Sequence, residues 1–296
     1  MLDHPLSSLE DWVAFFSAQD LPVLRHTQRQ LEHARECKDT VSGKDITRIV
    51  MHDPLLAVRV LAYIQPFTRR VRLRRDITTI AGAIMMLGID AFFNRFDQLP
   101  TLEDQLHEVS QQALIGALQV VNRCRQAAHY AYEWAVWRLD VNVEEVALAA
   151  LLHDLAEVLL YAFAPELALA VRAHQQQDST LRSAVAQQEV LGGFTALQIK
   201  TALYRAWQFP DLLLQLLDDH SSTAPRVLNV RFAVNFARHL SQHGLRDAAL
   251  PDDFRDIAKL LNLSEESLMV RLGLAPSEAG KEIVPSPNLR IPNLGN

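Results

Sequence analysis

The sequence predicts an all-α protein, and three observations carry that prediction. Apolar residues recur at three- and four-residue intervals through most of the chain. No run shows sustained period-two alternation of β-branched residues, so a sheet is not expected. Ser, Thr, Asn and Asp caps, prolines at first helical positions and a Gly-Gly pair punctuate the periodic segments.

Each element follows in order. Segment 6–18 places Leu9, Trp12, Val13 and Phe16 on one face. Leu21-Pro22 breaks the chain, and a helical pattern resumes over 23–37. Ser42 with Asp45 forms a capping-box pattern for a short helix through Met51; Asp53-Pro54 then supplies an N-cap followed by proline at the first helical position. After the apolar segment 80–93, Thr101 with Asp104 opens a long helix expected to reach Arg138, carrying His107, His129, Trp134 and Trp137. Asn142 and Glu145 suggest the next start, of a helix with apolar positions Val143, Val146, Ala147, Ala150, Leu151, Val158, Leu159 and Ala162. Pro165 starts 166–177, and 179–191 ends at Gly192-Gly193. Pro210 opens Leu212–Asp219, segments 226–242 and 253–261 read as helical, and Ser264 caps 265–272.

The stretch Arg95–Gln105, with Pro100, is the expected boundary between two helical subdomains, residues 1–98 and 99–275. Residues 276–296 carry Pro285, Pro287 and Pro292 with few apolar anchors and are expected to form a disordered tail.

Composition narrows the function classes. In 296 residues, 49% hydrophobic content is ample for a sizeable core. Lys+Arg 29 against Asp+Glu 35 gives a net charge of -6, which argues against a whole-chain binder of DNA or of anionic membranes. Cys37 and Cys124 are far apart with no Cys-x-x-Cys spacing, so neither a disulfide framework nor a zinc ribbon is indicated. No basic leader is seen, no stretch is expected to span a membrane, and a cytoplasmic protein is expected. No phosphate-binding Gly-rich loop, dinucleotide fingerprint or Gly-x-Ser-x-Gly elbow is present.

The most informative pair is His153–Asp154, an imidazole and a carboxylate side by side in Ala-Leu-Leu-His-Asp-Leu-Ala-Glu-Val-Leu-Leu. Asp154 lies four residues after Ala150 and four before Val158, on the apolar stripe, so its carboxylate is expected to point into the core. A buried carboxylate needs a cation, a donor or a metal. His129 on the preceding helix and His220 at the end of Leu212–Asp219 are the residues that could converge on the doublet. The alternative is a structural polar pair, the carboxylate accepting from His129, a Trp indole or a backbone N–H. Arg69, Arg70, Arg72, Arg74 and Arg75 form the one dense basic patch; with no interleaved aromatic residues it reads as a solvated loop rather than a nucleic-acid surface.

The order of several short motifs resembles the HDOD family, regulatory relatives of the HD and HD-GYP phosphohydrolases. Leu21-Pro22, His52-Asp53-Pro54-Leu55-Leu56, Ile80 to Gly88, Leu151-Leu152-His153-Asp154 and Glu189-Val190-Leu191-Gly192 followed by Trp207-Gln208-Phe209-Pro210 are similar to that family's elements in sequence order. The resemblance implies a multi-helix HD-like bundle, with a signalling role through protein contacts. Catalytic HD proteins hold one or two divalent metals. Here Ala156 and Glu157 stand where glycine and lysine are common, Thr195 where a histidine is expected, Asp219-His220 in place of a His-His pair, and Val234 and Asn235 where a late aspartate should lie. The expectation is therefore a non-catalytic module with a residual HD site at His129, His153, Asp154 and His220, no metal and no cofactor, whose partners are signalling proteins. The rival is a phosphohydrolase or cyclic-dinucleotide phosphodiesterase holding Fe, Mn or Zn at those four residues, or a sensor that binds a nucleotide without cleaving it.

Overall fold

The computed structural model describes residues 1–70, 76–177, 182–218, 222–276 and 283–285. Among these the architecture is all-α. The helices are α1 (Leu9–Ser17), α2 (Arg25–Glu36), α3 (Gly43–Met51), α4 (Pro54–Arg70), α5 (Ile80–Leu87), α6 (Ile89–Arg95), α7 (Leu102–His107), α8 (Gln111–Trp137) and α9 (Val143–Leu152). They continue with α10 (Leu155–Phe163), α11 (Pro165–Gln177), α12 (Ser183–Val190), α13 (Ala196–Ala206), α14 (Asp211–Leu216), α15 (Pro225–His243), α16 (Leu250–Leu261) and α17 (Glu265–Arg271).

The chain divides into two compact units, Met1–Arg125 with Leu151–Leu216 and Gln126–Ala150 with Leu217–Asn296. The crossings fall within α8 and α9 and after α14, not at 98/99 where a boundary was expected. The stretch after residue 98 is instead bound into the first unit. Val23 N donates to Pro100 O at 2.9 Å, Leu102 N donates to Val23 O at 2.8 Å, and Gln105 Nε2 donates to Ala162 O at 2.6 Å.

Local chemistry explains most helix starts. Ser42 and Asp45 form the reciprocal capping box of α3, and the Thr101 hydroxyl accepts from Asp104 N at the start of α7. The single long helix expected over 101–138 is two helices, because Ser110 restarts the chain: its hydroxyl accepts from Ala113 N at 3.2 Å and opens α8. Helix α13 has no counterpart among the segments assigned from sequence, although Thr195 and Gln198 form a full capping box at its start. The Leu191-Gly192 turn needs glycine, since φ is +69° and a Cβ there would meet Leu6 O at 2.8 Å.

The first unit's core holds Trp12, Phe16, Leu55, Leu56, Phe92 and Tyr204, all fully buried. The second unit's core centres on Trp134, which stacks on Tyr130 at 5.8 Å and meets Phe236 at 6.0 Å, while Phe236 packs edge-on against Phe254. The run Val143–Phe163, 21 residues, is apolar and long enough to cross a membrane, contrary to expectation; most of it is buried, as for a core helix of a folded protein. Beyond α17, Leu274–Pro276 pairs antiparallel with Ile283–Pro285, so of the region expected to be a disordered tail residues 276 and 283–285 are strand. The rest of that expected tail, 277–282 and 286–296, lies outside the described residues.

Candidate functional site

The His153–Asp154 doublet lies at a break between helices, not inside one. Helix α9 ends at Leu152, and Asp154 precedes α10 with φ -99° and ψ 20°. An N-cap side chain reaches the first free amides from an extended backbone. Asp154 lacks that backbone and makes no capping bond, and its carboxylate turns away from the helix amides. Both residues are buried, His153 at 7% and Asp154 at 8% exposure.

What receives the carboxylate is Arg123 of α8. Its Nε donates to Asp154 Oδ2 at 2.8 Å, and its Nη2 lies 2.7 Å from the same oxygen and 2.5 Å from Glu157 Oε2. On the other side, His153 Nδ1 is 2.9 Å from Asp154 Oδ1, the geometry of a ring N–H donating to the carboxylate. One guanidinium fork thus serves two acids, Asp154 just before α10 and Glu157 in its first turn, where the helix dipole also favours negative charge. Burial opposes the charge on Arg123, but the Glu157 and Asp154 carboxylates outweigh it and raise its pKa. Glu157, which fills the position of a common lysine in catalytic relatives, is here the second counter-ion of this arginine.

The break itself is closed from α13. Tyr204, fully buried and stacked on Phe209 at 4.6 Å, donates its hydroxyl to Leu152 O, one of the carbonyls that the end of α9 leaves without a helical partner. Burial, then the neighbouring Cys124 and Asp154, push the Tyr204 phenol well above its ordinary pKa. Burial, followed by Asp154, likewise pushes the Cys124 thiol up, which keeps it protonated and inert as a nucleophile. The Trp207-Gln208-Phe209-Pro210 motif has a structural use as well: Trp207 Nε1 donates to Ser17 Oγ at 3.0 Å and ties the end of α13 to α1.

The other sequence candidates are accounted for separately. His129 is exposed, with Nε2 3.6 Å from Glu133 of its own helix. His220 lies outside the described residues, as do Arg72, Arg74, Arg75 and the side chains of Arg69 and Arg70. Thr195, at the position of an expected histidine, is the N-cap of α13, and Val234, where an aspartate was sought, is buried in α15.

An HD-type metal would need imidazole and carboxylate oxygens converging on one point. Asp154 already accepts from Arg123 and His153, and among the described residues no three His, Cys, Asp or Glu side chains gather in a metal-holding group. The described residues do not fit a divalent cation. Arg123 is the member that sequence reasoning missed. The available signal was its place beside the buried positions Val120, Val121 and Cys124 of α8, which makes it an inward-leaning cation facing two acids.

Comparison with known proteins gives a consistent fold. A model of the HDOD domain matches residues 21–223. No curated protein sequence matches the chain. Among solved structures, the chain is similar to the MmoQ response regulator from Methylococcus capsulatus str. Bath, at 17% identity and TM-score 0.65, covering 86% of this chain and 98% of that one. It is also similar to a virulence factor from Campylobacter jejuni subsp. jejuni, at 20% identity and TM-score 0.61, covering 89% and 93%. At these identities the likeness is one of fold.

Proposed function

The chain belongs to the HDOD domain family, and on that premise we propose that it is a signal-transduction module that works through contacts with other proteins and hydrolyses no phosphoester. The observation that supports this reading is the Arg123 guanidinium set between Asp154 and Glu157. The guanidinium already neutralises the Asp154 carboxylate that an HD enzyme would offer to a metal, and a divalent ion brought to the same carboxylate would be repelled at short range in a low-dielectric site. In this reading the doublet is a structural polar anchor that ties the start of α10 to Arg123 of α8, and a signalling role accords with the chain's likeness in fold to a protein named as a response regulator. Signalling proteins are the proposed partners, and the cytoplasm is the proposed site of action.

The test is elemental analysis of the freshly purified full chain for Fe, Mn and Zn, beside assays of cyclic-dinucleotide hydrolysis with added Mn²⁺. The expected result is metal far below stoichiometry, the same in Asp154→Asn, and no turnover. Stoichiometric metal that disappears in His153→Ala and Asp154→Ala would overturn the reading in favour of a phosphohydrolase. A saturable thermal shift with guanine nucleotides, without cleavage, would replace protein contact by nucleotide sensing.

A further inference from the structure

Helix α8 carries two faces. Its inner face is buried at Ala113, Ala117, Val121, Cys124, Ala131 and Trp134. Its outer edge also follows a coiled-coil repeat, with exposed or half-exposed positions spaced alternately by three and four residues. Ile115 and Leu118 are exposed apolar residues near its start, and Val136 near its end, followed by Leu139 at 88% exposure. Between them the edge is polar, with Asn122, Arg125 and His129, and then Tyr132.

Leu139 strengthens the case that this edge is used. It follows the helix at φ +57°, the left-handed position of a helix-ending motif in which Leu139 N donates to Val136 O at 3.0 Å and Asp140 N to Ala135 O at 2.9 Å. Glycine is the unstrained residue there, because a Cβ is disfavoured in that conformation. A leucine at this place, strained and almost fully exposed, gains nothing within its own chain.

We infer that the outer edge of α8 is a self-association surface that pairs antiparallel with α8 of a second copy of this chain. The pattern is its own complement under a twofold rotation centred at the level of Ala127. Ile115 then faces Leu139 of the second copy, Leu118 faces Val136, Asn122 faces the Tyr132 hydroxyl, and Arg125 faces His129. Charge agrees with this direction and opposes the other. His129 sits beside Glu133, 3.6 Å away, so Arg125 of one copy meets an acid-bearing turn of its mate. Parallel pairing would set Arg125 against Arg125 in the middle of the seam. The 27 residues of α8 give a seam about 40 Å long, and twofold pairing closes on itself without leaving a sticky end.

Sedimentation of the full chain across the micromolar range tests the inference. Wild type is expected to dimerise, and Leu118→Glu with Val136→Glu to sediment as a monomer whose far-ultraviolet circular-dichroism spectrum stays helical, its melt no longer rising with protein concentration as the dimer's does. Leu139→Gly is the discriminating variant: it should weaken the dimer about tenfold or more while leaving the melt of the monomer unchanged or raised. Direction is read in a Cys37→Ser background by mixing Ile115→Cys with Leu139→Cys chains, which should cross-link to each other in preference to themselves. A wild type that stays monomeric throughout, a dimer that survives Leu118→Glu with Val136→Glu, or dominant 115–115 cross-linking would each overturn it. These outcomes leave the proposal of a non-hydrolytic module untouched, because none reads metal or turnover.

Discussion

Two His-Asp doublets stand in the first unit, each between the end of one helix and the start of the next, and they settle a buried acid in opposite ways. At His52–Asp53 the carboxylate, fully buried, accepts from Leu55 N at 2.9 Å and Leu56 N at 3.2 Å, and its second oxygen accepts from Leu24 N at 2.8 Å. The histidine turns back to its own helix, with Nδ1 2.7 Å from Arg48 O. At His153–Asp154 the acid makes no cap, the histidine is buried against it, and the balancing charge comes from Arg123, 31 residues away. Pro54 in the first doublet offers no N–H, so Asp53 reaches past it to the next two amides, as an N-cap does. The dipeptide therefore does not decide the role. Whether the following amides can reach the carboxylate decides between a cap and a hub for an imported cation.

Removal of the imported cation has the largest expected effect. Arg123→Ala should cost about 3–5 kcal/mol by leaving two acids uncompensated, read by urea unfolding. Adding Asp154→Asn and Glu157→Gln to it should recover much of the loss, because the expense lies in stranded charge; no recovery would mean that Arg123 acts by packing alone. At the other doublet, Asp53→Ala is expected to cost about 1–3 kcal/mol, since three buried amides lose an acceptor. A value larger than that of Arg123→Ala would invert the contrast.

Two smaller effects sharpen it further. Tyr204→Phe should cost about 1 kcal/mol in thermal unfolding, the price of leaving Leu152 O without its donor at the helix break. Titration separates the doublets more finely. Burial holds the Asp53 carboxyl above its ordinary 3.8, against the opposing pull of the Leu24 and Leu56 amides. A carboxyl raised in the folded state favours folding most in acid: its contribution is present below 3.8 and fades as pH rises through the folded midpoint. Carbon-13 titration of the full chain should show Asp53 protonating above 3.8, and a midpoint below that would mean the amide donors outweigh burial.

Much of the fold was legible because its signals are short-range. The capping box at Ser42 and the N-cap at Thr101 are contained within four residues, and the apolar stripes of α1 and α16 need only helical spacing. Thr195 with Gln198 is equally local, and the start of α13 could have been assigned on the same grounds. The break at Leu152 was not legible, since the apolar pattern runs unbroken from Val143 to Phe163 and the interruption is held by Tyr204 from another helix. Glu145 shows the same limit: read as a capping partner of Asn142, it is the acid to which Arg226 donates at 2.6 Å, 81 residues on.

The helical class, most helix starts, the burial of Asp154 and its need for a compensating donor follow from the residues alone, because propensity, capping and apolar period act over a few residues. Only the tertiary structure decided that the donor is Arg123 and that Glu157 shares it, that the doublet sits in a helix break, and that the chain divides within α8 and α9. Those outcomes depend on the rotational phase and separation of helices far apart along the chain, and no local pattern carries that information.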